Sequence, residues 1–511
     1  MDLKIAVGQR LMAGFPGTEL DAGFIELVRE CKVGNVILFR RNVESAAQLK
    51  RLCASIRRLI VRETGIEPFI AIDQEGGVVS RFSPDMAITP GGLALAAAGG
   101  DAPYRAAVIT AAQLREAGVN FDLAPVLDVN SNPLNPVVGV RSFGDVPEEA
   151  AERAMGFMRG LLDGGVMPCG KHFPGHGDTD TDSHIGLPKV EKGRAELDAC
   201  ELVPFNRAIA EGIPAIMTSH VLFPALEPER LPATMSKRIL TGLLREELCF
   251  EGVIISDCME MDAVAKFYGT VHAATTALEA GADIVCISHT ASLARECAQK
   301  LWELGATESL KRAGERIAAA KARFTGLPRV EPPMIFKLRG EARDLLEDSL
   351  VLINGPVPKL GERPFFTGCA GIRANQAQSA VTGTPSFAMV MAKRFGGSWA
   401  LCSDDPDSEE IASIVKRAKD ASCIVLNTSS GLRNSGQLIL MLALGKLKIP
   451  MLVVALREPY ELRYLPKHAA GIAAWEYSTH TIAAVAHVIR GELECKGKMP
   501  LRYFPLERIN P

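Results

Sequence analysis

Phe69-Ile70-Ala71-Ile72-Asp73-Gln74-Glu75-Gly76-Gly77 joins four apolar residues to two carboxylates and a glycine pair. A short apolar run that stops at a charge and a turn is a buried strand ending at a polar face. The pattern recurs at Val253-Ile254-Ile255-Ser256-Asp257, at Ala215-Ile216-Met217 before His220, at Val166-Met167-Pro168-Cys169 before Lys171 and His172, and at Phe121 to Val126 before Asp128. Val36 to Phe39 and Asp283 to Ile287 are further runs of this kind. Helical stretches such as 46–61, 102–117 and 148–163 lie between them. Strand and helix alternating this often implies a parallel sheet. Seven or eight such units in about 300 residues fit a closed barrel, and an open doubly wound sheet would read similarly. One polar strand end could simply cap the next helix. Five of them, with lysine and histidine included, point to one active face.

The pattern breaks at Thr325-Gly326-Leu327-Pro328 and Glu331-Pro332-Pro333. A linker over 326–340 therefore separates a barrel of residues 1–325 from a smaller α/β/α sandwich over 341–511. Runs at 350–353, 424–426, 451–454 and 471–474 are its expected strands, with helices near 409–421 and 481–490. The composition is that of a globular protein, 47% hydrophobic and 23% charged. A net charge of −3 gives no basis for a nucleic-acid partner. No uncharged apolar run approaches the roughly 18 residues of a membrane span. The first residues lack the basic and apolar regions of a secretion signal, and the 12 cysteines are scattered without a CxxC pair. A cytoplasmic protein with reduced thiols is expected.

The segment from Lys171 to His184 holds the densest chemistry. Pro174, Gly175 and Gly177 exclude a helix there. Gly165 to Lys171 fits a phosphate-binding loop until His172 replaces the Ser or Thr. His172 and His176 have zinc-ligand spacing but no helix to carry it. Asp178, Asp180 and Asp182 begin like a calcium loop, yet Ser183 and Lys189 stand where glycine and glutamate are required. No metal or cofactor is expected. Asp182-Ser183-His184 remains: in extended backbone a carboxylate two residues away can orient the imidazole and raise its basicity.

Several motifs stand in order along the barrel: Asp73 to Gly77 with Arg81, Ala124 to Val129, Arg141 to Gly144, and Lys171 to Gly177. Asp182 to His184, Met217 to His220, Pro232 to Ser236, and Ile255 to Asp257 with Met261 complete the set. Together they resemble glycoside hydrolase family 3, in its bacterial β-N-acetylglucosaminidase branch. The resemblance implies that Asp257 is the nucleophile, His184 the general acid/base and Asp182 its partner. It implies that Asp73, Arg141, Lys171 and His172 clamp sugar hydroxyls, with Arg81 and Met261 supporting. Cationic neighbours such as Arg141 or Lys171 are expected to keep Asp257 ionised. His220 fits either the pocket lining or the core, and His176 is expected to hold the loop's shape. The implied substrate is a small carbohydrate, terminal N-acetylglucosamine on a muropeptide or chito-oligosaccharide. A glycoside phosphorylase, a β-glucosidase and a non-catalytic sugar-binding barrel are the competing readings. In the second half, Ser429 to Gly436 offers no evident catalytic carboxylate. That half is expected to pack on the barrel or to shape the aglycone site.

Overall fold

The computed structural model describes residues 2–180, 187–327, 334–370 and 384–502. Nine parallel strands form the first sheet: β1 (Leu11–Ala13), β2 (Asn35–Leu38), β3 (Phe69–Ile72), β4 (Phe121–Asp122), β5 (Met167–Pro168), β6 (Gly170–Phe173), β7 (Ala215–Thr218), β8 (Val253–Cys258) and β9 (Ile284–Ile287). Their order is β5-β4-β3-β2-β1-β9-β8-β7-β6. The outermost strands, β5 and β6, are one stretch of chain interrupted only at Cys169. The sheet therefore curls back on itself, and a bridge between Val126 and Lys171 joins the seam. This is a barrel, not an open doubly wound sheet.

Alternation of side chains explains where the polar residues go. Phe69, Ala71, Met167, Cys169, Val253, Ile255, Ile284 and Cys286 share the barrel's inner core. Val36, Ile70, Ile72, Ile254 and Val285 face the surrounding helices. With a period of two, the inward rows continue to Asp73, Lys171 and Asp257. Ile317 and Phe324 of the helix Glu308–Phe324 close the opposite mouth. Ser45 caps the helix Ala46–Thr64 and Gly65 ends it in the left-handed conformation, as their residue types favour.

The second sheet contains β10 (Val351–Ile353), β11 (Pro364–Cys369), β12 (Ser398–Cys402), β13 (Cys423–Thr428), β14 (Met451–Ala455) and β15 (Ala469–Ala473). Its order is β10-β15-β14-β13-β11-β12. Only β10 runs antiparallel to its neighbour. Apolar clusters cover both faces, giving an α/β/α sandwich. One of them includes Leu93, Ala94, Ala97 and Val140 of the barrel. The two sheets thus share a core through the barrel helix Gly92–Ala98.

Some elements depart from the sequence reading. β1, β11 and β12 are strands that the apolar runs did not mark. Lys171 and His172 lie inside β6 rather than after it. Asp257 does not cap the following helix, which begins at Asp262 with Met261 at its cap. The helix Ile335–Ser349 starts within the Pro-rich stretch taken as linker.

Candidate active site

The site begins with ion pairs between the ends of β3 and β6. Lys171 Nζ lies 2.7 Å from Asp73 Oδ1 and 2.6 Å from Glu75 Oε1. Arg141 grips Glu75 through Nε and Nη2, both at 2.8 Å. Its Nη1 donates to the Val137 carbonyl at 3.2 Å. Burial alone would lower Lys171, but Asp73 and Glu75 outweigh it and lift the ammonium above its ordinary range. Burial would raise Glu75, yet Arg141 and Lys171 hold it well below the usual carboxylate range. Both groups are therefore charged at neutral pH. Arg81 Nη2 is 3.7 Å from Asp73 Oδ2. Gln74 Oε1 accepts from the Arg81 amide at 2.7 Å, so the turn after β3 folds back onto its own strand end. Gly77 has φ 53°, and an added Cβ would lie 3.0 Å from Glu476 Oε2. Only glycine suits that conformation and that close approach.

Asp128 is wholly buried and organises the neighbouring layer. Its Oδ2 is 2.7 Å from His172 Nδ1. Its Oδ1 accepts from the amides of His172 and His176 at 3.1 and 2.8 Å. Burial opposes ionisation of Asp128, but the two histidines outweigh it and lower its pKa. A carboxylate acceptor places the proton of His172 on Nδ1, leaving Nε2 facing Arg141 Nη2 at 3.4 Å. Burial pushes His176 down to about 4. That ring meets Thr179 Oγ1 at 2.9 Å, and Asn135 Nδ2 donates to the His176 carbonyl at 2.8 Å. His176 thus ties the loop together as a neutral group. Gly177 passes so close to Val129 that a Cβ would sit 1.6 Å from its carbonyl oxygen.

Across the barrel, Asp257 stands near the end of β8, half-buried, with Oδ1 accepting from the Cys258 amide at 2.7 Å. Asp73, Lys171 and Asp257 each extend an inward-facing row of the barrel's inner core, so the clamp and Asp257 open onto the same interior. The described ion pairs of Lys171 and Arg141 go to Asp73 and Glu75. Met261 is 9% exposed and sits at the N-terminal cap of the helix Asp262–Tyr268. His220 is a satisfied buried histidine: Nδ1 meets Thr234 Oγ1 at 2.9 Å and Nε2 meets the Cys258 carbonyl at 3.0 Å. That carbonyl can only accept, so Nε2 carries the proton and braces the strand end beside Asp257. Asp182 and His184 lie outside the described residues.

Sequence reading put Glu75 and Asp128 at polar strand ends but gave neither a role in the site. Both follow apolar strands, but only the fold shows that each holds two groups at once. The second sheet approaches the same rim. Tyr460 Oη accepts from Asn130 Nδ2 at 2.6 Å. An added Cβ on Gly139 would lie 2.4 Å from Glu458 Oε1. The Ser429–Gly436 loop is tied to Glu458 through Ser430 and Arg433.

The chain is similar to known proteins over the barrel and beyond it. The Beta-hexosaminidase of Alkalilimnicola ehrlichii is 38% identical over 284 residues, covering 54% of this chain and 80% of that protein. The Beta-hexosaminidase A of Pseudoalteromonas piscicida is 34% identical over 331 residues, and the matched region spans only 55% of that relative. The solved glycoside hydrolase family 3 beta-N-acetylglucosaminidase of Paenibacillus sp. FPU-7 superposes with a TM-score of 0.89 at 35% identity, covering 99% of each chain. The model of the glycosyl hydrolase family 3 N-terminal domain matches residues 6–325, and the chain belongs to that family.

Proposed function

We propose that this protein is a retaining exo-β-N-acetylglucosaminidase that removes terminal N-acetylglucosamine from muropeptide or chito-oligosaccharide fragments. The observation that carries the reading is the convergence of Asp73 and Lys171 with Asp257 inside one barrel mouth. The names of the relatives, Beta-hexosaminidase and beta-N-acetylglucosaminidase, support the choice of sugar.

In this reading Asp73 and Lys171 accept from and donate to ring hydroxyls, with Arg81 and His172 beside them. Arg141 serves the clamp by fixing Glu75. Met261 lines the pocket. Asp257 attacks the anomeric carbon and forms a covalent glycosyl intermediate. Protonated His184 delivers its proton to the departing oxygen. Neutral His184 then takes a proton from the water that releases the sugar, and Asp182 orients the ring. A neutral base avoids placing a second anion beside Asp257. All twelve cysteines are free thiols, most of them buried, which accords with a reducing, cytoplasmic setting.

Chromogenic β-N-acetylglucosaminide and β-glucoside, assayed side by side with and without phosphate, test the proposal. Wild type should prefer the first and be indifferent to phosphate. Asp257→Ala should lower kcat by at least about 10³-fold, as loss of a covalent nucleophile does. Release of sugar 1-phosphate, or preference for the glucoside, would refute it.

A further inference from the structure

Beyond the clamp, a partly buried ion pair sits at the foot of the chain segment that carries Asp182 and His184. Both residues fall, in sequence, between Asp178 and Lys192. Asp178 belongs to the outgoing stem, after β6. Asn132 Nδ2 donates to its carbonyl at 3.4 Å, and Asn135 Nδ2 donates to Thr179 Oγ1 at 3.2 Å. The returning stem lies along the chain that follows β7. There the Val190 amide donates to the Leu222 carbonyl and the Leu222 amide to the Pro188 carbonyl, both at 2.9 Å. Lys192 then reaches back across. Its Nζ lies 2.5 Å from Glu201 Oε1 and 3.7 Å from Asp178 Oδ2, and it donates to Ser131 Oγ at 3.2 Å.

Three observations give this pair a purpose. First, its anchor is rigid. Glu201 is wholly buried at the N-cap of the helix Leu202–Ala210. Phe205 of that helix meets the Phe173 ring of β6 edge-on, with centroids 5.2 Å apart. An added Cβ on Gly175 would lie 2.7 Å from the Glu201 side chain, so the outgoing stem passes directly over it. Second, the contact is charged. Burial would lower Lys192, but Glu201 and Asp178 outweigh it and hold the ammonium above its ordinary range. Among the described residues no other cation pairs with Glu201, so a buried carboxylate depends on one lysine. Third, β6 carries Lys171 of the clamp and is also the strand from which the outgoing stem leaves. The pair from Lys192 to Glu201 therefore refers the returning stem to the strand that holds the sugar.

We propose that Lys192, clasped between Glu201 and Asp178, is a positioning residue for the acid/base step: by tying the two stems together it fixes the reach of His184 to the departing oxygen. Lys192 moves no proton itself. A proton donor delivers only from within hydrogen-bond reach, and an error of about 1 Å can cost roughly 10²-fold in rate. The proposal rests on the glycosidase reading, with His184 as the acid, and adds the group that sets the geometry of proton transfer. Its effect is selective. A dinitrophenolate departs with little help from an acid, whereas a phenolate or a sugar alkoxide needs the proton. Loosening the stems must therefore slow poor leaving groups and spare good ones.

The test uses the full chain with phenyl and dinitrophenyl β-N-acetylglucosaminides, compared in kcat/KM, which reports the steps up to departure of the aglycone. In Lys192→Met the phenyl glycoside should lose about 10²-fold and the dinitrophenyl glycoside no more than about threefold. Lys192→Arg can pair with the same carboxylates and should keep most of the phenyl activity. Asp178→Asn, at a half-exposed position, should separate the two rates in the same direction by about fivefold. The ratio of the two rates is insensitive to the fraction of folded enzyme, and Asp178→Asn carries the test where Lys192→Met does not fold. Equal losses on both glycosides, or no loss on either, would overturn this proposal and leave the glycosidase reading standing. His184→Ala is the reference: it should lose roughly 10²–10⁴-fold on the phenyl glycoside and far less on the dinitrophenyl one. Equal losses in that variant would overturn the role of His184 and this proposal with it.

Discussion

Glu75 shows how much one buried side chain can govern. It joins Lys171 to Arg141. Removing its charge leaves two buried cations, Lys171 and Arg141, short of the carboxylate they share. Breaking such a pair typically costs about 3–5 kcal/mol. A displaced Lys171 would also misplace the sugar, and an error of about 1 Å can cost roughly 10²-fold in rate. Glu75→Gln should therefore lower kcat/KM on the chromogenic N-acetylglucosaminide by about 10²-fold and lower the melting temperature as well. Activity within a few-fold of wild type would show that Lys171 is held by Asp73 alone. Asp73, Lys171 and Asp257 were legible from their positions after apolar runs. Glu75 was written in the same stretch, but nothing in the local pattern said that its partners come from β6 and from the loop after β4.

At the level of single elements, the helix Glu308–Phe324 that plugs the lower mouth brings an unusual residue with it. Lys321 is buried, donates to Gln9 Oε1 at 2.6 Å and to the Gly34 carbonyl at 3.0 Å, and has no carboxylate in contact among the described residues. Burial lowers its pKa from 10.5 to about 7. Between those values the unfolded chain holds the proton and the folded chain does not. Stability must then rise with pH from about 7 toward 10.5, a gain on the order of 1–3 kcal/mol. Chemical denaturation at a series of pH values should show this rise in wild type and lose it in Lys321→Met. A slope unchanged by the substitution would mean that Lys321 stays charged in the native barrel. The helix itself follows from its apolar spacing. Its lysine reads as an ordinary solvated charge until the barrel mouth closes over it.

The whole molecule depends on a core that neither half owns. Leu93, Ala94, Ala97 and Val140 lie among the apolar side chains of the second sheet. Tyr460 and Asn130 join the halves through a hydrogen bond at the same rim. Ending the chain after residue 325 would expose that helix face next to the turn of Gly76 and Gly77. The truncated protein should show a lower melting temperature, association in size-exclusion chromatography, and kcat/KM on the chromogenic glycoside reduced by about tenfold or more, since the exposed patch abuts the clamp. A monodisperse fragment with unchanged kinetics would show that the second sheet only accompanies the barrel.

The class of fold and the candidate chemistry were local properties of the chain. Apolar runs ending in Asp73, Lys171 and Asp257 dictate strands with a polar upper end, and alternation along each strand puts those side chains inward. Proline and glycine around His176 rule out a helix, and with it the metal sites that a helix would build. These inferences need no knowledge of what lies across the barrel. Short strands such as β1, β11 and β12 escaped because three to six residues carry little periodicity, and their partners supply the order. Closure of the sheet through the split at Cys169 was likewise invisible, because it depends on two neighbours separated from it in sequence. The same is true of the links from Glu75 to Arg141 and from Asp128 to His172 and His176. Each joins residues far apart along the chain, and only packing the barrel brings their opposite charges, or donor and acceptor, within reach.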